Sequence, residues 1–524
     1  MKVILLNDSF PPVIDGVANA VVNYASILTS TKRADVMVGT PAYPGTDYSV
    51  YPYSVIAYQS FHTPDFTAGY RAGNPFVIKS VSKMAKFSPD IIHVHCPAAS
   101  AILGRILRKE TGAPIVFTYH TKYDLDIARA VKSEHLRKEA VKVMIDNISA
   151  CDEVWTVSHG AGESLRALGY EGDIRVVSNG VDFEKGQADA ALVEEAVKGF
   201  DLPEDVPMFL FVGRLINYKG LPLILDAMRQ LSADGIDYRM VFVGSGADKE
   251  GLEQTVREYG ISLSIRQEDG TITDETGSSK AGRVIFTGPV YDRNILRAWN
   301  TRADLFLFPS TYDTNGIVVR EAAACGLASV LIEGSCAAEG ITHGRNGFLM
   351  QENADSLAAL LRELAPQRDT MKQVGQKAMD EIYISWEESV LAAADRYQVI
   401  LERRHAEHRA GTERTELSSD RFIGTTVDVM DALYDAFHLP KAVHTGIQDN
   451  LNGSYQYMKD NLIGMQENVA DASEYLKEKY QDFLVRTREI GEGFRDIGEG
   501  FHSAGHEVKE GFKEGWKKIT GGKD

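Results

Sequence analysis

The chain has 524 residues, more than one hydrophobic core can serve, so we expect two or three domains. Hydrophobic residues make up 44% and charged residues 25%, which is typical of a globular protein, and the formal net charge of -18 argues against a general nucleic-acid binder. No stretch reaches the roughly 18 consecutive apolar residues of a membrane-spanning helix. The opening residues, MKVILLNDSFPP, turn polar too early for a signal peptide and predict a first strand.

The 4 cysteines are widely spaced and form no CxxC pair. They are Cys96, Cys151, Cys325 and Cys336. In a large chain this usage predicts buried thiols in a reducing cytoplasm rather than a redox or metal site.

The first 182 residues alternate short apolar runs with helical stretches. The runs are KVILL, ADVMVG, DIIHVH, PIVFTYH, EVWTVS and IRVVSNG. They are continuously apolar rather than alternating, as expected of strands that are covered on both faces. Strands of this kind alternating with helices predict an α/β domain with a parallel, doubly wound sheet over residues 1–182.

The same pattern restarts after a polar connection and predicts a second domain over residues 183–383. Its runs are MFLFVGR, RMVFVG, RVIFTG, LFLFPS and SVLIEG. A polar, glycine-rich insert, RQEDGTITDETGSSKAG, is predicted to be a surface loop. Ligands of such sheets bind beyond the carboxyl ends of the strands. Two facing domains would therefore enclose one cleft, with a donor on one wall and an acceptor on the other.

Two cations follow the first strand of the second domain. In GRLINYKG, residues 213–220, Arg214 and Lys219 lie where the ligand of this sheet should bind. They would neutralise an anion, and a diphosphate is the natural candidate. A surface salt bridge at a helix start is the alternative.

A second stretch, FPSTYDTNGIVVREAAACG at residues 308–326, leads from a strand through a loop into a helix. The amides at the helix start and the adjacent Gly316 would form an anion cradle. The carboxylates of Asp313 and Glu321 suit sugar or ribose hydroxyls, which donate hydrogen bonds to ionised oxygens. A sugar nucleotide has both phosphates and hydroxyls, so it is the ligand that such a site would fit.

These two stretches together resemble the retaining glycosyltransferases of family 4, which have the GT-B fold of two Rossmann-like domains facing a cleft. The family signature is a pair of acidic residues with seven residues between them, and Asp313 and Glu321 have this spacing. The family usually has Glu at the first position, so Asp313 is one methylene shorter. The resemblance covers residues 1 to about 404 and implies that a helix at 384–404 crosses back to close the first domain.

The resemblance implies a role for each residue of the donor site. The groups expected on the donor diphosphate are Arg214, Lys219 and the backbone of Asn315, Gly316 and Ile317. Glu321 should bind ribose hydroxyls, and Asp313 should bind the transferred sugar. In the first domain, PPVIDGVANAV resembles the family's glycine loop, in which Gly16 approaches the diphosphate. A plain turn glycine is the alternative for Gly16.

Three histidines follow or lie in first-domain strands. His120, in FTYHTKY, ends a strand, and similar proteins use this histidine against the sugar, near the reacting centre. His93 and His95, in HVHCP, share one strand face, which invites a metal interpretation. The sequence places no third ligand, and similar enzymes need no metal ion for the donor phosphates. We therefore expect no cofactor and no metal ion.

The expected mechanism rests on the same resemblance. No carboxylate in these motifs is placed as a covalent nucleophile, unlike in the retaining hydrolases. Similar retaining transferases are thought to react on one face of the sugar, with the leaving diphosphate accepting the proton of the acceptor. Arg214 and Lys219 would then contribute most, by stabilising charge on the leaving group. His120 and Asp313 complete the expected catalytic set.

The acceptor is suggested by residues 118–148, which open with TYHT. This stretch resembles the branch that glycosylates diacylglycerol at the bacterial membrane. Its basic residues would draw the chain to anionic lipid, at about 1 kcal/mol per cation near the surface. They are Arg129, Lys132, Arg137, Lys138 and Lys142. A solvated helix face is the alternative, because acidic residues are interspersed.

These observations predict transfer of a hexose from a nucleotide sugar to a membrane lipid such as diacylglycerol. UDP-glucose is the donor implied at the level of the family. The enzyme would then be cytoplasmic and peripherally associated with the inner face of the membrane. The competing interpretations are a family 4 transferase that acts on a soluble saccharide or a polyprenyl-linked acceptor, and a catalytically weak scaffold at the membrane surface.

From residue 405 the strands stop, and the sequence predicts an all-helical appendage over residues 405–524. Apolar or small residues recur every three or four positions from Leu451 to Leu476 and, after one extra residue, from Tyr480 to Val508. This spacing predicts a long amphipathic helix or a helical hairpin. Aromatic residues near the end, including Trp516, together with neighbouring lysines favour a lipid interface. Self-association and packing on the catalytic domains are the alternatives.

Overall fold

The structure, a computed structural model, describes residues 1–13, 15–62, 69–123, 127–128, 133–410, 420 and 423. The apolar periodicity predicted between Leu451 and Val508, and Trp516 beyond it, lie outside the described residues. Among the residues described, no helix is long and apolar enough to cross a membrane.

A parallel sheet of seven strands forms the centre of the amino-terminal half. The strands of this half are β1 (Lys2–Leu6), β2 (Asp35–Pro41), β3 (Ser54–Tyr58), β4 (Ser60–His62), β5 (Arg71–Gly73), β6 (Ile91–Val94), β7 (Ile115–Tyr119), β8 (Glu153–Thr156) and β9 (Ile174–Val176). The sheet has the order β3-β2-β1-β6-β7-β8-β9, and β4 and β5 pair separately as a short hairpin. The strand order reverses between β1 and β6, and in open sheets this is where a ligand binds.

Helices cover both faces of this first sheet. They are α1 (Gly16–Ser30), α2 (Ile78–Lys86), α3 (Ala99–Thr111), α4 (Glu134–Ser149) and α5 (His159–Ala167). Strand residues such as Val3 and Ile4 are fully buried and point to opposite faces, so each face has its own apolar core. Burial on both faces of the sheet explains why these strands are continuously apolar in the sequence.

The second half is built around an eight-stranded sheet with the order β13-β12-β14-β11-β10-β15-β16-β17. Its strands are β10 (Met208–Val212), β11 (Arg239–Val243), β12 (Ser262–Arg266), β13 (Ile272–Glu275), β14 (Arg283–Gly288), β15 (Leu305–Phe308), β16 (Ser329–Ile332) and β17 (Phe348–Met350). All neighbours are parallel except β12 and β13. The two doubly wound sheets confirm the predicted fold class.

The prediction of a surface loop for the insert RQEDGTITDETGSSKAG was wrong in part. Residues Ile272–Glu275 form the antiparallel edge strand β13, which pairs with β12 through a turn at Asp269 and Gly270. Gly270 has φ +86°, a conformation that favours glycine. The strand is polar because it lies at the edge of the sheet.

The helices of the second half complete the architecture. They are α6 (Ala190–Val197), α7 (Leu221–Ala233), α8 (Lys249–Glu258), α9 (Arg293–Arg302), α10 (Ile317–Ala324), α11 (Ala354–Leu364), α12 (Arg368–Glu381) and α13 (Trp386–Ala410). All 4 cysteines are free, but only Cys151 and Cys325 are buried. Cys96 and Cys336 are partly exposed, contrary to prediction, because they lie in connections beyond strand ends.

The last helix, α13, returns to the first half, as expected for residues 384–404, and continues to Ala410. Its Tyr397 stacks on Trp155 of β8, with ring centroids 5.5 Å apart. Its Arg396 donates two hydrogen bonds to the Glu153 carboxylate, at 2.7 and 2.6 Å. The helix therefore belongs to the apolar core of the first half, although the chain reaches it last.

Two residues beyond α13 also contact the first half. The carboxylate of Asp420 accepts hydrogen bonds from Arg105 Nε at 2.7 Å and Arg108 Nη2 at 3.1 Å, both on α3. Ile423 is buried in the core cluster that includes residues of α3. Asp420 and Ile423 therefore both lie beside α3.

Candidate active site

The carboxyl ends of the two sheets face each other, and the predicted site residues lie on both sides of this junction. Lys122, which follows β7, donates a hydrogen bond from its Nζ to the carbonyl oxygen of Thr311 at 3.0 Å. The segment between β15 and α10 therefore touches the strand ends of the first half directly.

Lys219 lies in a short 3₁₀ helix between β10 and α7. The turn needs Gly220, which has φ +79° and whose Cβ, if present, would stand 2.1 Å from the carbonyl oxygen of Pro309. Lys219 Nζ lies 2.6 Å from Asp313 Oδ1 and 5.4 Å from the centroid of the Phe308 ring. The two side chains are only 12% and 23% exposed. The lysine thus forms a half-buried ion pair with another predicted site residue, not a surface salt bridge.

Asp313 is held from both sides. Its second oxygen, Oδ2, accepts a hydrogen bond from Ser310 Oγ at 2.6 Å. The carboxylate therefore has a fixed orientation beside Lys219, at the end of β15. A shorter side chain than glutamate suits this close pairing.

Arg214 is exposed and faces the first half across the cleft. Its Nη2 donates to Tyr218 Oη at 3.1 Å. Tyr70, in the first half, donates to the Oδ2 of Asp15 at 2.9 Å. Burial raises the pKa of Tyr70, the charge of Asp15 adds to this rise, and the nearby charge of Arg214 opposes it. Arg214 thus lies near the segment that precedes α1.

Gly16 is the first residue of α1, and the side chain of Asp15 caps this helix by accepting from the amides of Val17 and Ala18. A Cβ added to Gly16 would meet no described atom within 4 Å. The protein itself therefore gives no steric reason for glycine here, and the open space would admit a ligand close to the backbone.

Glu321 lies on α10, buried at 6% exposure, and accepts a hydrogen bond from Arg293 of α9. Arg293 also donates to Asp182, in the connection between the two halves. Burial raises the pKa of Glu321, and the positive charge of Arg293 opposes that rise. Sequence reasoning missed Arg293, because no local pattern marks a residue whose partners come from two distant segments.

The segment of Asn315, Gly316 and Ile317 forms the start of α10. Gly316 caps the helix with φ +56°, and the helix begins at Ile317. Both polar atoms of the Asn315 side chain are buried without a hydrogen-bond partner among the described residues. A small pocket beside them is also lined by Ser158 of the first half and Cys336 of the second. An amide with this much unused hydrogen-bonding capacity is typical of a site that takes a polar ligand.

His120 is buried just beyond β7, and its Nε2 lies 2.9 Å from His95 Nδ1. Its Nδ1 has no partner among the described residues. Burial lowers the pKa of His120 to about 3, so the ring is neutral at physiological pH. A neutral imidazole with one unused nitrogen can exchange a hydrogen bond with a sugar hydroxyl.

His93 does not offer a metal ligand. Its Nδ1 lies 2.5 Å from Tyr397 Oη and its Nε2 lies 2.7 Å from Thr118 Oγ1, so hydroxyl groups occupy both nitrogens. Within the described ranges, no group of three or more His, Cys, Asp or Glu side chains is arranged to hold a metal ion.

The basic stretch beyond β7 is described only in part. Arg129 and Lys132 lie outside the described residues, whereas α4 contains Arg137, Lys138 and Lys142. Lys138 pairs with Glu134 at 3.0 Å, and both side chains are 74% exposed. Exposed pairs of this kind contribute about 0.3–0.5 kcal/mol, so Glu134 holds Lys138 only weakly.

Two family models match the chain. Glycosyltransferase Family 4 covers residues 14–185, and Glycosyl transferases group 1 covers residues 206–366. The chain is 26% identical over 378 residues to a sulfoquinovosyl transferase of Arabidopsis thaliana, covering 70% of this chain and 67% of that one. It is 23% identical over 372 residues to the alpha-monoglucosyldiacylglycerol synthase of Acholeplasma laidlawii, covering 69% and 87%.

Solved structures share the fold. Sucrose-phosphate synthase from Thermosynechococcus elongatus has a TM-score of 0.58 at 20% identity, covering 77% of this chain and 99% of that one. Anabaena HepE in complex with UDP-glucose has a TM-score of 0.56 at 18% identity, covering 77% and 100%. The chain belongs to the family 4 glycosyltransferases: it has the GT-B fold and is a retaining hexosyltransferase that uses a nucleotide sugar.

Proposed function

We propose that this family 4 enzyme transfers a hexose from UDP-glucose to a membrane lipid acceptor, with diacylglycerol as the simplest candidate. The observation that carries the proposal is the half-buried pair of Lys219 and Asp313 at the junction of the two halves. In the proposed assignment Lys219 would serve the donor diphosphate, and Asp313 directly beside it would serve the sugar.

The donor would bind mainly to the second half. Lys219 and Arg214 would neutralise the diphosphate, and the amides at the start of α10 would add hydrogen bonds to it. Glu321 would accept hydrogen bonds from ribose hydroxyls, and the positive charge of Arg293 opposes the rise in its pKa that burial causes. HepE, whose structure was solved with UDP-glucose, supports the choice of nucleotide and sugar.

Transfer would proceed on one face of the sugar. As the bond between the anomeric carbon and the diphosphate breaks, negative charge grows on the leaving oxygen, and Lys219 and Arg214 stabilise it. The leaving diphosphate takes the proton of the acceptor hydroxyl as the new glycosidic bond forms. Neutral His120 and Asp313 would hold sugar hydroxyls, which fixes the anomeric carbon against the acceptor.

The acceptor side is proposed to face the membrane through α4. This helix comes after β7 and His120 in the chain and has Lys138 and Lys142 exposed. Val143, next to Lys142 in sequence, is 41% exposed, so the helix offers both cations and an apolar side chain to solvent, as an interfacial helix does. The name of one relative agrees with a lipid acceptor, since it is an alpha-monoglucosyldiacylglycerol synthase.

With a lipid acceptor, the enzyme would act on the cytoplasmic face of the membrane as a peripheral protein. Cations near an anionic surface add about 1 kcal/mol each, so binding through α4 would be weak and reversible without a second contact. The predicted amphipathic appendage would supply that contact.

The test is transfer from radiolabelled UDP-glucose in the presence of vesicles with and without diacylglycerol. We expect a labelled lipid that depends on diacylglycerol, and a slower reaction when Lys138 and Lys142 are both replaced by Glu. Lys280→Glu is the matched control, because Lys280 is exposed in the second half, beside β14. Transfer to a soluble saccharide with no lipid product would overturn the acceptor proposal. If the enzyme turned over another nucleotide sugar but not UDP-glucose, the proposed donor would be wrong.

A further inference from the structure

Thr314 connects the two halves of the enzyme at the reacting centre. It is 8% exposed, and its Oγ1 donates a hydrogen bond to the backbone carbonyl of His120. Its own carbonyl accepts from Ser158 Oγ at 2.5 Å. His120 follows β7 and Ser158 follows β8, so Thr314 bridges two adjacent strand ends of the opposite sheet.

A second contact supports the first. Glu339 of the second half accepts from the amide of His159 at 2.7 and 3.0 Å and from the amide of Gly160 at 3.3 Å. These amides belong to the first turn of α5, where a carboxylate is stabilised by the helix dipole. The negative charge of Glu339 thus ties the second half to α5.

The surfaces at this second contact are close-fitting. A Cβ added to Gly160 would stand 2.6 Å from the Sγ of Cys336 and 3.4 Å from its Cβ. Gly160 lies in a helix, where alanine is otherwise favoured by about 1 kcal/mol. The glycine is therefore explained by the approach of the second half, not by the backbone of α5.

We infer that Thr314 is a positioning residue that holds His120 and Asp313 in register across the cleft. The contact of Glu339 and Cys336 with α5 keeps the two halves close enough for Thr314 to act. The inference rests on the proposed roles of His120 and Asp313. Thr314 follows Asp313 in sequence and is bonded to the carbonyl of His120 itself, so one hydrogen bond fixes the two sugar-facing residues relative to each other. A displacement of about 1 Å at a reacting centre can reduce the rate by 10²-fold.

The hydroxyl of Thr314 is not needed to fold its own half. The loop that contains it is held within the second half by the hydrogen bond from Ser310 to Asp313 and by the start of α10. The side-chain bond of Thr314, by contrast, goes to the first half. Removing the hydroxyl should therefore change the alignment of the halves rather than the stability of either.

The first test compares Thr314→Val with Thr314→Ser. Valine keeps the branched shape without the hydroxyl, and we expect kcat for donor hydrolysis and for transfer to fall by about 10- to 100-fold. UDP affinity by calorimetry should stay within about twofold, because the hydroxyl that is removed bonds to the first half and not to the amides at the start of α10 that are assigned to the diphosphate. Serine should restore most of kcat. If valine left kcat within twofold, or weakened UDP binding as strongly as turnover, Thr314 would not be a positioning residue.

The second test uses Gly160→Ala as a wedge between the halves. We expect a lower kcat and a larger radius of gyration by X-ray scattering. Adding Cys336→Ala, which removes the Sγ that the new methyl group would meet, should restore both. Gly251→Ala is the matched control, since Gly251 lies in helix α8 and a Cβ there would meet no described atom within 4 Å apart from its chain neighbours and its own helix backbone.

A wedge variant with normal kcat would overturn the inference. These tests need no lipid acceptor, so they remain decisive if the acceptor proposal fails. If UDP did not bind the wild-type enzyme, the donor proposal would fail. The scattering comparison of Gly160→Ala with the double variant that also has Cys336→Ala would still decide whether this contact holds the halves together.

Discussion

Lys219 Nζ lies 2.6 Å from Asp313 Oδ1, although the two residues are 94 positions apart in the chain. The pair joins the turn after β10 to the turn after β15, which are neighbouring strands of the second sheet. Each side chain restricts the other, so the cation and the carboxylate proposed for the donor are oriented together. Preorganised charges of this kind lower the reorganisation that a reaction requires.

Lys219→Ala should reduce turnover strongly. Loss of one preorganised charge at the leaving group should remove roughly 2–4 kcal/mol of transition-state stabilisation. The fold should survive, because the side chain lies at the cleft and not in the core. The measurement is kcat for UDP-glucose at saturating donor, with Lys249→Ala as control, since Lys249 pairs with Glu253 on its own helix. Turnover of the Lys219 variant within tenfold of wild type would contradict the assignment.

The variants Asp313→Ala and Glu321→Ala should distinguish the residue that contacts the sugar from the residue that contacts the nucleotide. Asp313→Ala should depress transfer and leave UDP affinity nearly unchanged, because its expected contact is to the transferred sugar. Glu321→Ala should weaken both, since a ribose contact exists before and during the reaction. Calorimetry with UDP measures the difference. The reverse pattern would show that the two roles are exchanged.

The sheets and the acidic pair could be predicted from sequence because each depends on a local pattern. Strands such as β10 are buried on both faces, so their residues are continuously apolar. The spacing of Asp313 and Glu321 is likewise contained within one turn and one helix. A one-dimensional pattern is enough for features of this kind.

The interactions between distant segments could not be predicted in the same way. Arg293 reaches Glu321 from another helix, and Glu339 reaches α5 from the opposite half. Nothing near either residue in the sequence distinguishes it from an ordinary surface charge. The edge strand β13 is different, because the Asp-Gly pair before it was a hairpin signal that the polarity of the insert obscured.

Glu153→Gln should loosen the return of α13 to the first half. Burial raises the pKa of the Glu153 carboxyl, but hydrogen bonds from Arg396 and Trp155 together with the charges of Arg396 and Arg403 outweigh burial and leave the pKa below its usual value. The carboxylate is 9% exposed. We expect the variant to lose roughly 1–3 kcal/mol of unfolding free energy at pH 7.

The pH dependence gives the sign of this effect. Because the folded-state pKa of Glu153 is depressed, its stabilisation is fully present above the ordinary glutamate pKa of about 4.3 and is lost as the pH falls through the folded value. The difference between wild type and Glu153→Gln should therefore shrink below about pH 4. Asp395→Asn on the same helix is the control, since its pair with Arg33 is exposed and should contribute less than about 1 kcal/mol. Urea unfolding at pH 7 and at a pH of about 3 is the measurement, and an equal loss at both would refute the electrostatic origin.

The appendage can be removed at two places, and the structure predicts different outcomes. Arg105 is 2% exposed and bonds to Asp420, so a chain ending at Arg404 loses a partner of a buried guanidinium, whereas a chain ending at Ile423 keeps it. We expect the shorter chain to lose roughly 1–3 kcal/mol of stability relative to the longer one. Both should stay folded and bind UDP.

The same pair of truncations tests the proposed membrane role. Both chains should lose most of their association with liposomes, because apolar insertion of the predicted amphipathic helices would drive it. Activity on lipid in vesicles should fall more than activity on lipid in detergent. The chain ending at Ile423 is the informative one, since it retains Asp420 and Ile423 on the first half and loses only residues 424–524. If it sedimented with vesicles as fully as the whole chain, the membrane role of the appendage would be wrong. A change from dimer to monomer in light scattering would then favour self-association.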